Sequence, residues 1–120
     1  MTDRERDAAL AEAIGCKVRP PNPGLSADYN CGCEDQAHWS HPRQANFVAP
    51  YFSAPTWETS GQLIEGLAAR GWQVEIHSGH GGPGSFAARV WKDPSAATDW
   101  TLAYGGPKAI VLAACRATGI

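Results

Sequence analysis

The densest grouping of metal-capable side chains is Cys31-Gly32-Cys33-Glu34-Asp35-Gln36-Ala37-His38-Trp39-Ser40-His41, a C-x-C-x4-H-x2-H spacing. Two thiolates and two imidazoles suit tetrahedral zinc, and four protein ligands (Cys31, Cys33, His38 and His41) would close the site. The setting favours such a staple. Six of the nine prolines (Pro20, Pro21, Pro23, Pro42, Pro50 and Pro55) fall between residues 20 and 55. Proline lacks an amide donor and fixes φ, so regular hydrogen bonding is sparse there, and metal binding would supply folding free energy. The C-x-C step is tighter than the C-x2-4-C of ordinary zinc fingers. Three readings therefore stay open: one zinc, thiols and surface histidines without metal, or a Cys31–Cys33 disulfide, which a reducing cytosol disfavours.

The second grouping is His77-Ser78-Gly79-His80-Gly81-Gly82-Pro83-Gly84-Ser85, followed by Arg89 and Trp91. Glycines let backbone approach a ligand closely, and their amides can form an anion-binding nest. A permanent guanidinium and an indole nearby add a phosphate partner and a stacking surface. The candidate ligand-binding residues are His77, His80, Gly81, Gly82, Arg89 and Trp91. Against this stands a plain hairpin loop, because turns between strands ordinarily need glycine. Trp91 and Arg89 also fit a second sheet face packed beneath a covering helix. Cys115 reads as a small buried thiol and Cys16 has no evident partner in the sequence. No G-x-S-x-G elbow or HExxH helix occurs, and Glu75 with His77 is an acid/base pair only in the loosest sense. The catalytic set is empty, and a small hydrolase is the remotest reading.

These residues need elements to position them. Asp3 to Ile14 reads as a helix, with Thr2 and Glu5 at capping-box spacing, Leu10 and Ile14 on one face, and Gly15 at the stop. A second helix spans Pro55 to Arg70, with Ser53 as cap and Trp57, Leu63, Ile64, Leu67 and Ala68 on its apolar side. Residues 72–77, 85–92 and 98–104 alternate apolar and polar, as half-buried strands do. Trp72, Val74 and Ile76 share one face of the first, while Phe86, Ala88 and Val90 oppose Arg89 and Trp91 in the second. Trp100, Leu102 and Tyr104 align in the third, and Trp72 and Trp100 are expected in the core. A last helix covers 107–118, opened by Pro107 and closed by Gly119. Short turns make the three strands an antiparallel meander. The fold class is α+β: one domain over residues 1–120, with an N-terminal helix (1–15), a Pro/Cys/His-rich loop (16–54) and an α-β-β-β-α core (55–120).

Composition bounds the partners. The chain has 120 residues and a formal net charge of −2, which leaves no basic excess for a duplex. Its charged start lacks a signal-peptide core, and its longest apolar run, Ala109 to Cys115, is far short of the ~20 residues that span a bilayer. The expectation is a cytoplasmic protein without a membrane partner.

The carboxy-terminal two-thirds resembles the phage ABA sandwich domain family. The resemblance rests on Pro50-Tyr51-Phe52-Ser53 leading into Gly61-Gln62-Leu63-Ile64-Glu65-Gly66-Leu67-Ala68-Ala69-Arg70-Gly71-Trp72, on Phe86-Ala87-Ala88-Arg89-Val90-Trp91, and on the stretch from Ala103-Tyr104-Gly105-Gly106-Pro107 to Cys115-Arg116-Ala117. It implies helices on both faces of a small sheet, a bacteriophage or prophage origin in a bacterial host cell, and an accessory role without one agreed biochemistry. With the Gly-rich loop, the expected function is a non-enzymatic, anti-defence binder of a small anionic ligand, such as a host immune signalling nucleotide. The alternatives are a zinc-stabilised protein-interaction module and a small hydrolase.

Overall fold

The computed structural model describes residues 1–22, 24, 29–33, 52–79, 81–93 and 99–120, with the backbone alone for Cys31. The first element is α1, Asp3–Ala13, and it starts as its sequence dictates: Thr2 accepts from the Glu5 amide, and the Glu5 side chain accepts from the Thr2 amide. Gly15 leaves the helix at φ +98°, a conformation that an L side chain rarely adopts. Within the segment read as loop, β1 (Val18–Arg19) pairs antiparallel with β2 (Asn30–Cys31) as a short ribbon. Two-residue strands carry too little alternation to be read from sequence.

The core unit follows the expected order. It comprises α2 (Trp57–Ala68), β3 (Gln73–Ser78), β4 (Ser85–Trp91), β5 (Thr101–Tyr104) and α3 (Gly106–Thr118). The three strands form one antiparallel sheet in the order β3-β4-β5. The α+β class and the meander are as expected, with ends shifted by a few residues. The cap of α2 is Thr56, bonded reciprocally with Thr59, and not Ser53. Residue 98, the expected start of the third strand, and residues 94–97 before it lie outside the described residues.

Both core helices lie on one side of the sheet. Leu63 and Leu67 of α2, Ala88 and Val90 of β4, and Ala109, Ile110, Ala113 and Ala114 of α3 form one buried cluster. Trp57 caps it edge-on to Phe86, with ring centroids 6.0 Å apart. Leu10 and Ala11 of α1, with Ile14 at its C-terminal cap, join the same cluster. Small residues at the contact, Ala88 on β4 with Ala109, Ala113 and Ala114 on α3, let helix and sheet approach closely. The resemblance implied helices on both faces; among the described residues, the opposite face carries none.

That opposite face corrects the reading of the third strand. Cross-strand partners share a face, and Ala88↔Thr101 and Phe86↔Ala103 assign Thr101 and Ala103 to the helix side. Leu102 and Tyr104 therefore face outward, 57% and 78% exposed. Their alignment was legible, but the side they face was not. Ala68, expected on the apolar stripe of α2, is likewise exposed.

α1 is anchored by a carboxylate. Asp7 is fully buried and pairs with Arg4 one turn away. It also accepts from the Ser53 amide (2.7 Å) and hydroxyl (2.9 Å). This clamps the chain entering α2 to the first helix across the whole Pro-rich segment. Burial raises the Asp7 pKa above the usual carboxylate value, against the lowering effect of the Ser53 donors and Arg4.

Candidate functional site

Register decides which sequence candidates meet. Gln73 pairs with Trp91, Glu75 with Arg89 and His77 with Ala87, so His77, Arg89 and Trp91 stand on one face, the one turned away from α2 and α3. Arg89 is its centre. Its Nη2 donates to Glu75 Oε1 at 3.0 Å, and the guanidinium carbon lies 5.0 Å from the Trp91 ring centre. A residue outside the expected set completes the arrangement. Trp100, just before β5, places its ring 4.4 Å from the same guanidinium, and His77 meets that ring edge-on at 4.8 Å. Glu75 Oε2 lies 3.6 Å from His77 Nε2, within ion-pairing reach when the imidazole is protonated.

The result is a cation flanked by two indoles, with a carboxylate and an imidazole at one side. Glu75 takes one N–H of the guanidinium fork, which carries five donors. Arg89 Nε is buried with no hydrogen-bond partner among the described residues. The Glu75 hydrogen bond and the two neighbouring rings hold the guanidinium in place without ligand. Chemically this can stack a flat ring, and it can offer charge-assisted donors to an anion.

The glycine loop lies further along the hairpin. Ser85, where it rejoins β4, is four residues from Arg89, or roughly 13 Å at strand rise. Its amides are partly committed: Gly79 donates to the Ser85 carbonyl (2.8 Å), Gly82 to Gly79 (3.5 Å) and Ser85 to Gly82 (3.1 Å). Gly82 adopts φ +111°, which explains a glycine there by the turn itself. Gly81 lines a hollow of about 260 Å³ together with Ser85, Leu102 and Tyr104. The outer face thus runs from Trp91 through Arg89 and Trp100 to Leu102, Tyr104 and the loop. His80 lies outside the described residues.

No protein-family model, curated protein or solved structure matches this chain. The site is therefore read from its own chemistry.

Of the expected zinc ligands, His38 and His41 lie outside the described residues, as does the side chain of Cys31. Cys33 is half-buried, and its Sγ accepts from the Lys17 amide at 3.3 Å. Gly32 donates to the Lys17 carbonyl, continuing the ribbon toward Cys16 and Cys33. Cys16 packs in the core cluster with Cys33 against it. Among the described residues no three potential ligands gather. Cys115 is buried in α3; burial raises its thiol pKa, opposed by Arg6 and aided by Asp7. A protonated thiol in that position is a packing group and a poor nucleophile. Trp100 was the missed site residue. Its signal was parity with Leu102 and Tyr104, which becomes informative once β4 fixes the outward side. Among the described residues, no helix is long and apolar enough to cross a membrane.

Proposed function

We propose that the chain is a non-enzymatic binding module whose outer sheet face takes a flat, anionic, nucleotide-like ligand. The observation that carries this reading is the convergence of Arg89, Trp91, Trp100 and His77 on the sheet face that carries no helix among the described residues. A base stacks on an indole, and each such contact is worth ~1–3 kcal/mol without demanding a particular base. A phosphate takes the donors of Arg89 that Glu75 leaves open, with His77 as a second donor. In a bacterial cytoplasm, where the resemblance to phage ABA sandwich proteins would place it, such a module sequesters a host signalling nucleotide, for example a cyclic dinucleotide or a cyclic ADP-ribose relative.

The experiment is a thermal-shift screen with linear and cyclic nucleotides, followed by calorimetric titration of the strongest hit. Arg89→Ala should weaken that binding by ~1.5–3 kcal/mol, the value of a hydrogen bond to a charged group. Equal affinities for wild type and variant would remove Arg89 from the site.

A second reading has its own observation. The amide-to-sulfur bond from Lys17 to Cys33 is the kind of contact that supports a metal-bound thiolate, and it favours a zinc-stabilised protein-interaction module. Zinc held by Cys31, Cys33, His38 and His41 gives about one metal per chain in elemental analysis of chelator-free protein. No nucleotide hit together with stoichiometric zinc would favour this reading over the first.

A further inference from the structure

A cavity of about 230 Å³ lies between α1 and α3, on the helical side of the molecule and away from the outer sheet face. Phe52, Val111, Leu112 and Cys115 give it an apolar lining, while Arg6 and Lys108 bring two cations to it. Apolar cavities of about 150 Å³ accept benzene, so this volume suits a single ring with a small substituent.

The charges around it are unbalanced. Among the described residues, Asp3 is the one carboxylate on the lining. Asp7 stands nearby but is occupied by Arg4 and Ser53. Two cations against Asp3 leave one positive charge in excess among the described lining residues. Arg6 Nε is buried with no hydrogen-bond partner among the described residues, so the guanidinium has not spent its donors on a described neighbour at that atom. Lys108 sits in the first turn of α3, where no acidic residue offsets it. A cation there opposes the helix dipole, so helix stability does not explain its position.

We propose that this cavity binds a small apolar carboxylate, with the carboxylate between Arg6 and Lys108 and the body against Phe52, Val111 and Leu112. The Cys115 thiol contributes apolar surface at the lining and takes no covalent part. This site is separate from the outer sheet face, and its occupant need not be a nucleotide.

Sodium benzoate is the probe, with benzyl alcohol as its neutral counterpart, each titrated into the isotope-labelled full chain and followed by backbone amide resonances. Benzoate should give saturable shifts at Ser53, Val111 and Leu112, and benzyl alcohol should bind about tenfold or more weakly, the scale of a lost charge-assisted hydrogen bond. Arg6→Met with Lys108→Met should weaken benzoate by a similar factor, while Arg6→Lys, which keeps the charge, should retain most of the binding. The proposal is overturned by any of three results: no saturable shift, equal affinity for the two probes, or binding unaffected by removing both cations. A benzoate response confined to Trp91 and Trp100 would overturn it as well.

Discussion

The two faces of the three-stranded sheet are built from similar residue types and used differently. On the helix side, Val90 and Ala88 are buried beneath Leu67, Ile110 and Ala114. On the other side, Trp91, Trp100, Leu102 and Tyr104 hold comparable apolar surface beside Arg89, His77 and Glu75, yet Leu102 and Tyr104 stay exposed. An aromatic surface that no described helix covers, organised around a guanidinium, has the composition of a binding surface. The contrast shows that hydrophobic character alone does not locate the core; the pairing of each strand with its neighbour does.

The sharpest break in that comparison is stability. Ile110→Ala, on the buried side, should cost ~2–5 kcal/mol, the range for a large aliphatic residue truncated in a core. Leu102→Ala, on the open side, should stay within about 0.5 kcal/mol, as surface substitutions do. Denaturant unfolding of both variants checks this. Similar losses at the two positions would mean that the outer face is covered in solution.

A smaller effect is expected at the α1 anchor. Asp7→Ala strands the Ser53 amide, which should cost about 1–3 kcal/mol. Its pH dependence has a defined sign. Burial holds the folded pKa of Asp7 above the ordinary 3.8 of a free aspartate, so the folded state binds the proton more tightly than the unfolded one. Its contribution is fully present below 3.8 and is lost as pH rises through the higher folded value. The stability advantage of wild type over Asp7→Asn should therefore shrink as pH rises across that window. Growth of the advantage with pH would mean that the donors outweigh burial at this carboxylate.

Much of the architecture was legible because its signals are local. The Thr2–Glu5 box, the alternation around Val74 and Val90, and Pro107 with Gly119 bracketing α3 all operate within a few residues. What escaped depends on distance in sequence. The Asp7–Ser53 clamp joins residues 46 apart, and no spacing rule reaches that far. The outward turn of Trp100 follows from Ala88↔Thr101, a pairing that strand alternation permits but does not select. Conversely, the meeting of His77, Arg89 and Trp91 on one face could be posed from sequence as a question of register, and the pairing of Glu75 with Arg89 answers it.

The most direct test of the binding surface uses the tryptophans that the two faces separate. Trp91 and Trp100 flank Arg89 on the outer side, while Trp57 meets Phe86 edge-on and Trp72 packs against the core on the other. Indole N–H resonances should be followed while titrating whichever cyclic dinucleotide or cyclic ADP-ribose relative most raises the unfolding temperature. The expected result is saturable movement of the Trp91 and Trp100 signals, with those of Trp57 and Trp72 unmoved. Saturation at Trp57 or Trp72 with Trp91 and Trp100 unchanged would contradict a ligand site on the outer face.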